Sequence, residues 1–158
     1  MMKFDETDKA ILRALQKNAR ISIIEIARKV GLAPSAALAR VRKLERSGVI
    51  TGYETRMNPK SFGLDLVTFI HVSTHENIGS LAIGRRIALI PGVQEVHSLA
   101  GKYCYLVKAR VRNTAALSKL LERIGVIKGV SGSFTTLSLG AIKESIGVDL
   151  EAPDEESI

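Results

Sequence analysis

What this chain lacks narrows its chemistry before any motif is read. It has one cysteine, so no internal disulfide can form, and a reducing cytoplasm fits that usage. No stretch approaches the roughly 20 apolar residues of a membrane-spanning helix, and no apolar run followed by small residues marks a secretory signal. His71, His75 and His97 do not have the paired spacing of a metal site. No Ser-His-Asp set or carboxylate pair stands out. Asp65, Glu76, Glu95 and Glu122 are scattered and nothing marks a nucleophile, so no enzyme activity, metal or cofactor is expected. The body of the chain is also short of acid. Residues 1–64 hold 13 Lys/Arg against 6 Asp/Glu and residues 65–143 hold 10 against 4, whereas residues 144–158 hold 6 acidic residues and no base. A net charge of +7 favours polyanionic partners through counterion release but does not choose DNA over RNA. At 158 residues the chain can bury one good core or two small ones.

What is present begins with two amphipathic helices joined by a short turn, between Ile23 and Tyr53. Ser22 and Glu25 form an S-x-x-E capping box, and Ile23, Ile26, Ala27 and Val30 recur at helical spacing up to Gly31. Ala33 and Pro34 start the next helix, with Pro at its first position, and Leu38, Val41 and Leu44 are expected as its buried stripe before Ser47-Gly48 stops it. A turn this tight, relieved by Gly, is what a helix-turn-helix requires.

The second of these helices is the candidate reader of DNA. Ser35, Ala36, Ala39, Arg40 and Lys43 share a helical spacing that places them on one exposed face, with Arg42 and Arg46 toward its flanks. Small residues at the N-terminal end let a helix enter a major groove closely, and longer cations reach base edges or phosphates. Arg40 is the expected base contact, while Arg42 and Arg46 would fix register on phosphate. The competing view, a solvated cationic face on an ordinary helix, loses ground to the turn spacing and the capped helix before it. Upstream, Asp5 or Thr7 can cap a helix carrying Ile11, Leu12, Ala14 and Leu15, ending near Asn18 and Ala19 before Arg20. Downstream, Val49, Ile50, Gly52, Tyr53 and Thr55 predict a short strand pair, the wing of a winged module, with Arg56 on it.

After a linker at residues 58–65 the pattern changes from helical to alternating. Leu66 to Thr74 predicts a strand and Gly79 to Ile90 a helix closed by Pro91-Gly92. Val93 to Ala100 and Tyr103 to Arg112 predict two strands around a two-residue Gly101-Lys102 turn. Asn113 or Thr114 caps a helix with Leu117, Leu120, Leu121 and Ile124, and Ser131 to Leu139 predicts a last strand. The expected fold class is α+β: a winged helix-turn-helix over residues 5–57, then a βαββαβ, ferredoxin-like sandwich over residues 66–143. Strand residues such as Val67, Phe69, Val107 and Val111 are too apolar for both sheet faces to stay wet, so the face without helices, or the sheet edge, is expected to pair with a second copy in a homodimer.

Residues 5–143 resemble the Lrp/AsnC, or feast/famine, family of prokaryotic transcription regulators. The likeness rests on four motifs. They are Asp8-x-x-Ile11-Leu12-x-x-Leu15-Gln16-x-x-Ala19-Arg20-Ile21-Ser22, Glu25-Ile26-Ala27-x-x-Val30-Gly31-Leu32-Ala33-Pro34, Arg40-Val41-x-x-Leu44-Glu45-x-x-Gly48-Val49-Ile50-x-Gly52-Tyr53, and Gly101-x-Tyr103-x-Tyr105-Leu106 together with Asn58-Pro59. The resemblance implies dimers, often assembled into tetramers of dimers, that bind double-stranded promoter DNA in the cytoplasm as nucleoid-associated regulators. It adds Arg20 and Ser22 to the DNA-binding residues. It also implies an amino-acid or related carboxylate effector held between subunits by Gly101, Lys102, Tyr103 and Cys104 of the hairpin and by Ser133, Thr135 and Thr136 of the last strand. Ser133 and Thr135 alternate, which puts both hydroxyls on one strand face.

Two departures from the family matter. Relatives commonly carry acid at the positions of Lys102 and Cys104, so the ligand here would be more acidic or lack an ammonium, with Lys102 supplying charge complementarity; the alternative is a domain that serves assembly alone. Ala33 stands where a Ser often caps the reading helix, a loss of about 0.5–2 kcal/mol unless Ser35 or water compensates. Cys104 itself reads as a small strand hydrophobe. Some relatives decarboxylate a modified tetrapyrrole, a role for which His71 or His97 with Arg110 could be offered, but the cationic comb on the reading helix argues against it. An RNA-binding sheet lacks its aromatic-glycine pattern on the third strand. The tail, residues 144–158, is expected to be mostly disordered and able to compete with DNA for basic surface.

Overall fold

The computed structural model describes residues 4–150, which fall into two compact units: residues 4–56 with 145–150, and residues 57–144. In the first, α1 (Glu6–Lys17), α2 (Ile23–Val30) and α3 (Pro34–Arg46) enclose Ile11, Leu12, Ile26, Ala27, Ala37, Val41 and Leu44. Asp5, not Thr7, caps α1 by accepting from the Asp8 N–H. The capping box at α2 forms in full: the Ser22 hydroxyl accepts from the Glu25 N–H, and the Glu25 carboxylate accepts from the Ser22 N–H. Gly31 ends α2 at φ 68°, a left-handed geometry that turns the chain within three residues into α3.

The buried stripe of α3 is Ala37, Val41 and Leu44, and Leu38 is only half-buried. A methyl side chain at Ala37 lets α3 pack closely within this small core, which a reading weighted to larger residues passes over. The wing does not form as a strand pair. Val49 and Ile50 fold back through N–H bonds to the Leu44 carbonyl, and residues 51–58 form no strand and have no ladder partners among the described residues. Two short strands cannot hold each other in water without a further apolar contact, and residues 51–58 are exposed throughout. The Tyr53 hydroxyl donates to Glu45 across 2.9 Å and anchors the segment to the end of α3.

The second unit starts with a short 3-10 turn, Pro59–Phe62, capped by Asn58. It continues as β1 (Leu66–Thr74), α4 (Ala82–Ala88), β2 (Val93–Ser98), β3 (Tyr105–Val111), α5 (Thr114–Gly125) and β4 (Val130–Ser138), giving an antiparallel sheet in the order β2-β3-β1-β4. This is the expected βαββαβ arrangement. Ile70, Val72, Tyr105, Val107, Ala109 and Val111 alternate onto the helix side, where Ile83, Ile87, Leu117, Leu120 and Ile124 meet them.

α4 is shorter than expected because its N-terminus is tied from a distance. The Glu76 carboxylate accepts from the Ile83 N–H at 2.9 Å, the Ser80 hydroxyl at 2.7 Å and the Tyr105 hydroxyl at 2.6 Å. Burial pushes the Glu76 carboxyl up, but these donors, Tyr105 first, outweigh it and hold its pKa below the ordinary value. Gly84 lies directly under the Tyr105 ring, where a Cβ would come within 2.4 Å of Cε1.

The hairpin between β2 and β3 also departs from expectation. The Leu99 N–H donates to the Cys104 carbonyl at 2.9 Å, closing a four-residue loop from Ala100 to Tyr103 in place of a two-residue turn. Gly101 is not among the positive-φ glycines, because a loop of this length does not need one there. Of the tail, residues 144–150 are described and make contacts: Glu144 pairs with Lys108 at 3.0 Å and Arg110 at 3.3 Å, and Leu150 packs against the first core. The disorder expected of residues 151–158 lies outside the described residues.

Candidate DNA interface and effector site

α3 carries Ser35, Ala36, Ala39, Arg42, Lys43 and Arg46 exposed to solvent. Its N-cap, Ala33, makes no side-chain bond, and Ser35 does not supply one. At its other end Lys43 and Arg46 sit in the last turn, where cations favour the helix dipole, and the Arg46 Nε donates to the Arg42 carbonyl at 3.2 Å. The helix thus offers short side chains toward its N-terminus and cations toward its C-terminus. Arg20 is exposed just before α2, its N–H turned onto the Asn18 side chain at 3.0 Å. The Ser22 hydroxyl is already engaged twice by Glu25.

Arg40 does not stand on the exposed face. It lies three residues after Ala37 and four before Leu44, so it borders the buried stripe. Its Nη1 donates to Asp5 Oδ2 and to Asp8 Oδ1, each at 2.7 Å. The two carboxylates raise the guanidinium pKa, Asp5 more than Asp8, and the Asp8 N–H followed by Arg40 lowers that of Asp5. Taking Leu38 for Ala37 rotates the assumed stripe and turns Arg40 outward, which is how the sequence pattern misplaced it.

In the second unit the residues expected to hold an effector do not all share a surface. Gly101 and Lys102 are exposed at the hairpin, and Tyr103 and Cys104 are half-buried. Lys102 Nζ lies 5.4 Å from the centre of the Tyr103 ring, and that ring packs 4.9 Å from His71. Cys104 packs against the second core and its thiol points to the Thr74 carbonyl at 3.8 Å. Ser133 and Thr135 are paired with Val72 and Ile70 on the helix side, as their alternation implies, whereas Thr136 is paired with Phe69 on the opposite face. A shallow cavity of 340 Å³ is lined by Arg13, Gln16, Lys17, Val148, Asp149 and Leu150, none of which belongs to either candidate set.

The sheet face away from the helices is ordered in rows. One runs His97, Leu106, His71, Phe134, and the next Glu95, Lys108, Phe69, Thr136; Arg110, Val67 and Ser138 follow. Lys108 binds Glu95 at 3.1 Å as well as Glu144, and both raise its pKa, Glu144 first. His71 Nδ1 and Arg110 Nε are buried without a hydrogen-bond partner among the described residues. Arg110 stands four residues along β3 from the row of His71 and His97, about 13 Å away at strand rise, so one chain does not join these histidines to Arg110. No cluster of three or more potential metal ligands occurs among the described residues, and no helix there is long and apolar enough to cross a membrane.

Comparison with known proteins bears on both units. A winged helix-turn-helix DNA-binding model matches residues 4–51, and an Lrp/AsnC ligand binding domain model matches residues 67–148. The leucine-responsive regulatory protein of Escherichia coli is 34% identical over 144 residues, covering 89% of this chain and 88% of its own. Among solved structures, a transcriptional regulator of Neisseria meningitidis in complex with L-methionine aligns with a TM-score of 0.88 at 29% identity, over 94% of this chain and 98% of its own. The feast or famine regulatory protein of M. tuberculosis, complexed with L-methionine, aligns at 0.85 and 30%, over 92% and 99%. With a reading helix in one unit and a βαββαβ domain in the other, the chain belongs to the Lrp/AsnC family and is a DNA-binding transcription regulator with a ligand-binding domain.

Proposed function

We propose that α3 enters a major groove with Ser35, Ala36, Ala39 and Lys43, that Arg20, Arg42 and Arg46 hold flanking phosphates with Ser22 at the edge of the contact, and that an amino acid or related carboxylate at the residue 101–104 hairpin adjusts the grip. The observation that carries this reading is the exposed face of α3, with small residues at one end and Arg42, Lys43 and Arg46 at the other. A gel shift with the chain's own promoter region, repeated across salt concentrations, tests it. Replacing Arg42 by Ala should weaken binding uniformly across sequences and reduce the salt slope by about one phosphate contact, and an unchanged slope would count against the assignment.

Two relatives solved with L-methionine support an amino-acid effector, and the exposed ammonium of Lys102 supports a ligand whose carboxylate dominates. Isothermal titration of the protein with the standard amino acids and their keto acids tests this, and no heat from any of them would leave the second unit an assembly domain. The face bearing Val67, Phe69 and Phe134, with two buried nitrogens lacking partners, supports a homodimer closed by a second copy. Tetramers of such dimers and a cytoplasmic, nucleoid-associated location complete the reading. Sedimentation as a monomer at micromolar concentration would overturn the dimer.

A further inference from the structure

We infer that Arg40 positions the reading helix and reads no base: its guanidinium is the counter-ion that lets Asp5 and Asp8 join the start of α1 to the middle of α3. Asp5 uses one carboxylate oxygen to cap α1 through the Asp8 N–H, at 2.7 Å, and the other to accept from Arg40. Asp8 is 8% exposed, one turn ahead of the core residues Ile11 and Leu12, and accepts from the same Nη1. Two carboxylates converging on one nitrogen repel each other unless a cation stands between them. Removing the guanidinium would leave Asp8 as an unpaired charge at the edge of the core.

The same geometry takes Arg40 away from DNA. A guanine contact needs two N–H groups of the fork directed at O6 and N7, and here one arm of the fork, Nη1, is already held by the carboxylates of Asp5 and Asp8. Two negative charges around one positive charge also cancel the attraction of this point for phosphate. Discrimination among bases then falls to Ser35, Ala36, Ala39 and Lys43, and Arg40 controls only the angle at which they are presented.

Full-length protein tests this against a duplex selected from a random-sequence library by the wild type, together with each single-base variant of that duplex. Arg40→Met should lower the melting temperature of the first unit and weaken binding to every duplex by a common factor, about tenfold or more. Asp8→Leu combined with Arg40→Met removes the guanidinium and the buried carboxylate together and leaves Asp5, which is open to water, to its cap on α1. It should restore the melting temperature and bring affinity to within about threefold of wild type, with every single-base penalty unchanged. Restored melting with affinity still tenfold down, or with the penalty at one base pair gone, would overturn the inference. If Arg40→Met does not fold, Arg40→Lys decides the matter beside the double variant. It keeps a cation between the carboxylates but cannot form the guanine fork, so unchanged penalties support positioning and the loss of one penalty refutes it.

Discussion

Each unit of this regulator is tied across elements by a carboxylate, but the donors differ. In the helical unit Asp5 and Asp8 meet a guanidinium, so both sides of the tie are charged and Arg40 stays partly open to water. In the sheet unit Glu76 meets only neutral donors, the Tyr105 and Ser80 hydroxyls and the Ile83 N–H, beside a closed core. An ionic tie partly open to water is weakened by salt, whereas a carboxylate held by hydroxyl and amide donors is much less sensitive to it. The contrast makes the tie of the helical unit the salt-sensitive one and that of the sheet unit the less sensitive one.

The sharpest way to break the sheet-side tie is to crowd it. A methyl at Gly84→Ala would meet the Tyr105 ring at 2.4 Å, and the ring is 2% exposed with no room to retreat. Overpacking of this kind should cost about 3 kcal/mol and lower the melting temperature of the second unit while leaving the first unchanged, read by unit-resolved thermal unfolding. Tyr105→Phe leaves the packing and removes one donor to a carboxylate, a loss of about 2 kcal/mol confined to the same unit. Equal losses in both units would mean that the ties are not independent.

The elements were largely legible from the pattern of residues, and the ties were not. β1 begins at Leu66 and ends at Thr74 where β-branched alternation starts and stops, and Ser22 with Glu25 marks the α2 cap because both partners are local. Asp8 and Arg40 are 32 residues apart, and Glu76 and Tyr105 are 29 apart, so no periodicity connects them. The start of α4 escapes the local pattern for the same reason: the carboxylate that accepts from its Ile83 N–H lies seven residues earlier, at Glu76. The candidate DNA face was readable from charge and spacing except at Arg40, where an alanine forms the buried stripe. The residue pattern marks the hairpin but not the length of its loop, since a Gly-Lys pair permits a tight turn without requiring one.

A smaller effect sharpens the helical side. α3 begins at Ala33 with extended backbone and no side-chain bond to its first turn. Ala33→Ser supplies the missing acceptor for an N–H at the second or third helical position, and the backbone there already suits a cap. The first unit should gain about 1 kcal/mol and the second nothing, as followed by chemical denaturation. No gain would mean that water already satisfies those N–H groups.

Acid separates the two ties with the smallest signal. Asp5 has a folded pKa below its ordinary 3.8 and Glu76 one below its ordinary 4.5. A carboxylate lowered on folding contributes stability that is fully present above the ordinary value and is lost as pH falls through the folded value. Both units should therefore weaken as pH is lowered past these points, and each can be relieved alone. Asp5→Asn keeps the cap on α1, since Asn serves as well as Asp there, but removes its proton uptake, so the acid slope of the first unit should flatten and that of the second should not. Tyr105→Phe removes the foremost donor that lowers Glu76 and should flatten the second slope alone, because a Glu76 nearer its ordinary pKa takes up fewer protons on unfolding. Amide exchange followed by unit from about pH 6 to about pH 3 reads both slopes. If either variant flattened both, the carboxylates would be acting through one shared unfolding event, and the two ties would not be independent.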